Sequence, residues 1–234
     1  MTGANKGIGF ETARQLASRG ITVLIGARDE QRGKEAAAKL QGEGLDVRFV
    51  HLDVSDETTH EAAHRFVKSN FGKLDILVNN AGIALELTEK PSAGNMQNLR
   101  KTFDTNFFGA ISVTQTLLPL IRNSDAGRIV NVSSGLGSLT QHSDPGWEFY
   151  QFKPLAYNAS KTALNAFTVM LAHELKDTAI KVNSADPGYT ATDMNSHSGP
   201  KTVAEGASVI VQLATLPADG STGGYFNDAG ALPW

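Results

Sequence analysis

A chain of 234 residues, 41% apolar and 19% charged, has ordinary globular composition and the length of one large domain. Its net charge of -3 gives no basic stripe for nucleic acid or an anionic membrane surface, and the lack of cysteine excludes disulfides, thiolate nucleophiles and cysteine-held metals. No apolar run reaches the roughly 20 residues of a membrane span, and the start lacks a signal-peptide layout, so a cytoplasmic protein with small-molecule partners is expected.

The chain opens with Thr2-Gly3-Ala4-Asn5-Lys6-Gly7-Ile8-Gly9, a glycine turn running into apolar positions at helical spacing from Phe10 to Arg19. Glycines let backbone approach a ligand, and a helix start offers free N–H groups and a partial positive charge to a pyrophosphate. A buried strand should precede such a turn, yet only Met1 stands before Thr2, so about five to eight further residues forming a central first strand are expected ahead of Met1. Ile21 to Gly26 reads as a buried strand, Asp29 as the cap of a helix through Leu40, and Val47 to Leu52 as the next strand, ending at Asp53. The alternation continues with a helix from Asp56 to Asn70, a strand from Leu74 to Asn79, a long helix within Gln97 to Ile121 and a strand from Arg128 to Val132. A helix carrying Tyr157 and Lys161 runs to Lys176, followed by a strand from Ile180 to Ala185. After Pro187-Gly188 come a polar stretch to Pro200, a helix to Leu216 and a short strand at Gly224 to Phe226. This alternation implies one α/β domain over residues 1–234, a mostly parallel sheet with helices on both faces.

Tyr157 and Lys161, four apart, share a helix face. A cation beside a phenol lowers a pKa that is otherwise about 10, so the pair can move a proton near neutrality. Their order among Thr2-Gly-x-x-x-Gly-x-Gly9, Asn79-Asn80-Ala81-Gly82, Ser134 and Pro187-Gly188 resembles the short-chain dehydrogenase/reductase family over essentially the whole chain. The resemblance is nearest to the NADPH-dependent carbonyl reductase and menthone or salutaridine reductase group.

That resemblance implies a doubly wound (Rossmann) sheet of seven strands in the order 3-2-1-4-5-6-7, its first strand truncated in this numbering. It makes Tyr157 the general acid toward a ketone or aldehyde oxygen while hydride arrives from NADPH, with the reverse alcohol oxidation available. Ser134, the last residue of Asn131-Val-Ser-Ser134, holds the oxygen in preference to Ser133. Lys161 binds the nicotinamide ribose and lowers the Tyr157 pKa, and Asn106 holds a water linking Lys161 to solvent. The cofactor is implied to lie on Gly3, Asn5, Lys6, Gly7, Ile8 and Gly9, with Asn79, Ala81 and Gly82 on the adenosine side and Asp53 and Val54 beside the adenine. Asp53 could equally cap a helix. Pro187, Gly188, Thr190 and Thr192 resemble the segment contacting the nicotinamide, and residues 189–200 a substrate loop whose length and polarity suit a lid.

NADP(H) is expected over NAD(H), because the position where an NAD enzyme places its ribose carboxylate is Ala27, followed by Arg28, and Lys6 adds a second cation. Asp29 is the rival ribose acid, though its place before Glu30 fits a helix cap. Trp147, Phe149, Tyr150 and Phe152, in a small insertion near 135–153, suggest an apolar or aromatic carbonyl substrate. The 23 positions from Ser134 to Tyr157 exceed the family's usual spacing, from which a monomer or homodimer is expected. His60-Glu61-Ala62-Ala63-His64 matches a helical zinc-protease pattern, but the flanks are polar and the next acidic candidates, Glu86 and Glu89, lie past the nucleotide motif. A solvated helix face and no metal are expected there. The alternative class is a non-catalytic NADP(H)-binding sensor on the same fold.

Overall fold

In the computed structural model, which describes residues 1–85, 87, 88 and 90–234, the buried runs of the sequence pair in parallel. Val23–Ala27 (β1) pairs with Val47–His51 (β2), and Ile76–Asn79 (β3), Arg128–Val132 (β4), Lys181–Ala185 (β5) and Tyr225–Asn227 (β6) follow one another in a second parallel run. Met1 and Thr2 lie between β1 and β3. Gly26 N–H donates to the Met1 carbonyl at 2.8 Å, and Thr2 N–H donates to the Val78 carbonyl at 3.0 Å.

The mostly parallel α/β arrangement is as expected, with one correction. Hydrogen bonding gives a two-stranded and a five-stranded sheet instead of one continuous sheet, because Met1 and Thr2 supply a single bridge, Thr2 to Gly26, and no ladder. The last strand of the five is also unexpected, a short antiparallel addition, Gly230–Ala231 (β7), on β6.

Helices cover both faces. Gly7–Ala17 (α1), Glu30–Gly42 (α2) and Val203–Ala214 (α8) pack over one core that includes Ile25, Val78 and Val130. Glu57–Phe71 (α3), Gly109–Ile121 (α5) and Leu155–Glu174 (α7) pack over the other, which includes Leu77, Ile129 and Val182. Adjacent strand residues thus point to opposite cores, and β4 is buried at every position. Each such aliphatic side chain contributes about 1.5 to 3 kcal/mol on burial. Asp29 accepts from Arg32 N–H at 3.0 Å and caps α2, while Thr202 and Glu205 form a capping box on α8. Each such cap is worth about 1 kcal/mol.

Two other sequence expectations are corrected. The single long helix within 97–121 is instead Met96–Phe103 (α4), a π-turn at Asp104–Phe108 and then α5, with Asn106 buried in the turn. His60 does not lie on a solvated face. It is 1% exposed, its Nε2 is 2.8 Å from the Asp53 carbonyl and its Nδ1 is 3.1 Å from Ser112 Oγ, which makes it a core residue joining α3 to α5. Glu61 is exposed as expected. Among the described residues no three metal-ligating side chains come together, and Glu86 and Glu89 lie outside those residues. No helix among them is long and apolar enough to cross a membrane.

Candidate functional site

The C-terminal ends of β3, β4 and β5 open onto one edge of the sheet, where parallel α/β folds leave a crevice. Ser134 follows β4, and α7 crosses behind it with Tyr157 and Lys161 one turn apart. Lys161 is 4% exposed, and its Nζ donates to the Val132 carbonyl at 2.7 Å. The same Nζ stands 5.7 Å from the centroid of the Tyr157 ring. Burial pulls the ammonium down to about 8.

Tyr157 departs from expectation. Burial of its hydroxyl, aided by the charge of Asp186, pushes the phenol up to about 12, although a hydrogen bond with the Ser134 side chain acts the other way. Lys161 does not reverse this, since its hydrogen bond goes to Val132 and its charge is itself desolvated. Ser134 is held from two sides: its carbonyl accepts the Tyr225 hydroxyl, and its Oγ accepts Leu136 N–H at 3.3 Å.

Asn106 is 1% exposed and its amide is fully engaged with protein. Its Oδ1 accepts Ile83 N–H at 2.8 Å, and its Nδ2 donates to the Ile83 carbonyl at 2.9 Å and to Ser160 Oγ at 3.0 Å. Ser160 in turn donates to the Tyr157 carbonyl at 2.7 Å, so Asn106 braces the helix that carries Tyr157. The π-turn is what aims Asn106 at Ile83 and α7 together.

The glycine turn meets the neighbouring strand end closely. Gly3 has φ +60, and a Cβ there would stand 2.8 Å from Ala81 Cα. Asn80 clamps it, Nδ2 donating to the carbonyls of Thr2 and Gly3 at 2.9 and 3.0 Å. Lys6 precedes α1 without a side-chain cap, so the N–H groups of Gly7, Ile8 and Gly9 open the helix with no side chain capping them. Asn5 is half-buried beside them. Gly82 brings the two polar groups of the site together: a Cβ there would lie 3.5 Å from both Asn106 Oδ1 and Lys161 Nζ.

Arg28 is exposed just past β1, after the buried Ala27. Lys6, expected as a second cation for phosphate, instead donates to Asp193 Oδ2 at 2.7 Å across an exposed gap. Thr192 sits against the glycine turn, its Cγ2 3.8 Å from where a Gly7 Cβ would be. Asp53 lies below its usual pKa despite burial, because Ser55 donates to Oδ1 and because Arg28 and His51 are near. It does not cap α3; Asp56 does, accepting Thr58 N–H at 3.0 Å. Val54 is buried beside it.

Two expected cofactor residues point elsewhere. The Asn79 side chain is 3% exposed and donates to Asn131 Oδ1 and Thr114 Oγ1, both at 2.8 Å, inside the core beneath the sheet. The chain of polar contacts runs on from Asn131 to Thr168 at 2.8 Å and to Ser184 at 2.9 Å. Thr190 is also 3% exposed, with its hydroxyl turned back to the Pro187 carbonyl at 3.2 Å.

Four residues of the site carried no expectation: Asn80, Ser160, Tyr225 and Asp186. Burial raises the Asp186 pKa, opposed by N–H groups of Gly188 and Gly135. The insertion and the substrate loop meet through a row of rings. His142 and Trp147 are 5.0 Å apart, Trp147 and Phe149 5.5 Å, and Phe149 and Tyr189 6.0 Å. The loop is braced by Tyr189 and Ser198 hydroxyls 2.6 Å apart and by Asn195 Nδ2 donating to the Thr190 carbonyl at 2.8 Å.

Comparison with known proteins bears on the family and the fold. The family model described as short chain dehydrogenase matches residues 1–202. A (+)-neomenthol dehydrogenase from Capsicum annuum is 32% identical, over 97% of this chain and 94% of the relative. The structure of salutaridine reductase from Papaver somniferum superposes with a TM-score of 0.83 at 34% identity, covering 97% of this chain and 98% of that one. NADPH-bound carbonyl reductase from chicken fatty liver superposes with a TM-score of 0.86 at 26% identity, covering 100% of this chain and 97% of that one. On the span of the family model and the identity along nearly its full length, the chain belongs to the short-chain dehydrogenase family.

Proposed function

We propose that this protein reduces the carbonyl group of a ketone or aldehyde with NADPH, the reverse alcohol oxidation being open to the same residues. The observation that carries this reading is the meeting of the Tyr157 phenol, the Ser134 hydroxyl and the buried Lys161 ammonium at the sheet edge.

The residues present suit a dinucleotide. Gly3 lets the glycine turn pack directly against Ala81 at the end of β3, which brings the two strand ends together at the crevice, and the uncapped start of α1 directs N–H groups and dipole at an anion. Arg28 offers a planar fork for a 2′-phosphate, and Ala27 in place of a carboxylate leaves nothing to repel one. Lys6 joins it by exchanging Asp193 for the phosphate. When bound, the nicotinamide supplies the hydride.

Tyr157 gives its proton to the carbonyl oxygen as negative charge develops there, and Ser134 donates a hydrogen bond to the same atom. A phenol pushed up to about 12 is wholly protonated at neutral pH, which is the state a reduction requires. Lys161, charged below about 8, holds the ribose hydroxyls and offsets the phenolate left behind. Asn106 keeps α7 in place through Ser160. The rings of Trp147, Phe149 and Tyr189 form an apolar wall for an apolar or aromatic substrate. The names of the relatives, a menthol-type dehydrogenase, an alkaloid reductase and a carbonyl reductase, support the same class.

The test is a panel of ketones, aldehydes and quinones followed by NADPH absorbance, repeated with NADH. Turnover of cyclic or aromatic carbonyl compounds with NADPH is expected. A folded protein that binds the cofactor and turns over none of them is the sensor of the alternative reading.

A further inference from the structure

Asp186 stands between the two loops that the proposed reaction uses, yet no step of that reaction employs it. The residue is 9% exposed. Its Oδ1 accepts the N–H of Gly188 at 2.9 Å, and the carboxylate also accepts the N–H of Gly135, next to Ser134. A Cβ on Gly135 would come within 3.2 Å of Oδ2, tighter than ordinary contact, so the glycine admits the carboxylate. The Asp186 N–H donates to the Phe226 carbonyl at 2.7 Å, fixing the residue to β6.

No salt bridge reaches Asp186 among the described residues. Lys201 acts on it only at range, because its Nζ is committed to Asp228 at 2.7 Å. A buried carboxylate lacking a contact cation is costly, and two N–H donors offset only part of the cost. Its charge reaches the phenols of Tyr157 and Tyr225, so it stands close to the reacting end of the site. An anion held in this way at the ligand edge of a parallel sheet is suited to a ligand that becomes positive there.

We propose that Asp186 is a positioning residue that joins the Ser134–Gly135 corner to the Pro187–Gly188 turn and presents a fixed negative charge to the nicotinamide end of the cofactor, favouring the oxidised form. This rests on the dinucleotide site proposed above. NADP+ and NADPH share their adenosine, phosphates and riboses and differ in a nicotinamide ring that is cationic when oxidised and neutral when reduced. A purely structural clamp changes both affinities alike; a charge changes their ratio.

Asp186→Asn keeps an acceptor for Gly188 and removes the charge. The dissociation constants of NADP+ and NADPH are measured by titration calorimetry on the full chain, wild type and variant. The variant should lose about threefold to thirtyfold in NADP+ affinity relative to NADPH, the range for one charge pair partly screened by water. Parallel losses, or no change, would overturn the proposal.

Should the variant not fold, Asp186→Ser, smaller and uncharged, is titrated in the same way at one fixed pH. Its preference for NADP+ over NADPH should fall below that of the wild type; an unmoved ratio overturns the proposal. A wild type that binds neither dinucleotide sinks the functional reading, whereas tight binding with an unmoved ratio sinks only the role of Asp186.

Discussion

Replacing Lys161 with Met should stabilise the fold while ending carbonyl reduction. The ammonium is buried, and its pKa falls from 10.5 to about 8 by desolvation alone. That difference corresponds to about 3 kcal/mol working against the folded state wherever the lysine is charged in both states. The variant loses the 2.7 Å hydrogen bond to the Val132 carbonyl, which costs about 1 to 2 kcal/mol if the carbonyl is left bare. Methionine fills a similar volume with an adaptable apolar chain. The net gain is about 1 to 2 kcal/mol at neutral pH, or about 2 to 8 °C in Tm for a chain of this size. The pH dependence gives a second check. Because the folded-state pKa is depressed, the destabilisation is complete below about 8, shrinks as pH rises toward 10.5 and vanishes above it. Urea unfolding of both proteins at several pH values between neutrality and that limit measures the difference. A variant less stable than wild type at neutral pH, or a gain that does not shrink with rising pH, refutes the reasoning.

Tyr157→Phe should lower turnover by about 10² to 10⁴ while leaving NADPH binding intact, read by steady-state absorbance and by titration. Retention of most of the activity would show that another group is the acid. Arg28→Ala should weaken NADPH binding by about ten- to a hundredfold, the worth of a charge-assisted hydrogen bond, with little effect on NADH; equal losses would point away from the 2′-phosphate. His60→Leu removes the ring's hydrogen bonds to the Asp53 carbonyl and Ser112, which keep Thr59 and Glu57 as partners, so unfolding should show a loss of about 1 to 2 kcal/mol. Elemental analysis should find no metal in either protein, and a metal lost with His60 would revive the zinc pattern.

Local signals were legible in the chain and long-range ones were not. Asp29 could be identified as a cap because its partner is three residues on, and Tyr157 with Lys161 because a helix brings fourth neighbours together. The burial of His60 depends on Ser112, 52 positions away, which no local pattern reveals. Asn79 against Asn80 is a matter of strand parity, and here a usable signal existed: Leu77 belongs to the core beneath α5, and a residue two further on must face the same way. The spacing sets Tyr157 and Lys161 on one helix face but does not reveal the Val132 carbonyl that takes the ammonium. Asp186 carries no local signal, since the glycine that receives it lies after β4, in another loop.

The π-turn between α4 and α5 has a consequence for what the chain can lose. One residue of an α-helix corresponds to about 100° of rotation, and the wider turn at Asp104–Phe108 takes up an extra residue without passing that rotation on to α5. The apolar stripe of Val113, Leu117, Leu120 and Ile121 therefore meets its core as it would at the end of an unbroken helix. Deleting one residue of the turn would restore ordinary winding with the stripe still on the sheet, and the loss would fall on Asn106, which would no longer be aimed at Ile83 and Ser160. The length of this segment thus serves the site more than the packing of α5, and a shortened variant is expected to fold while its site is disturbed.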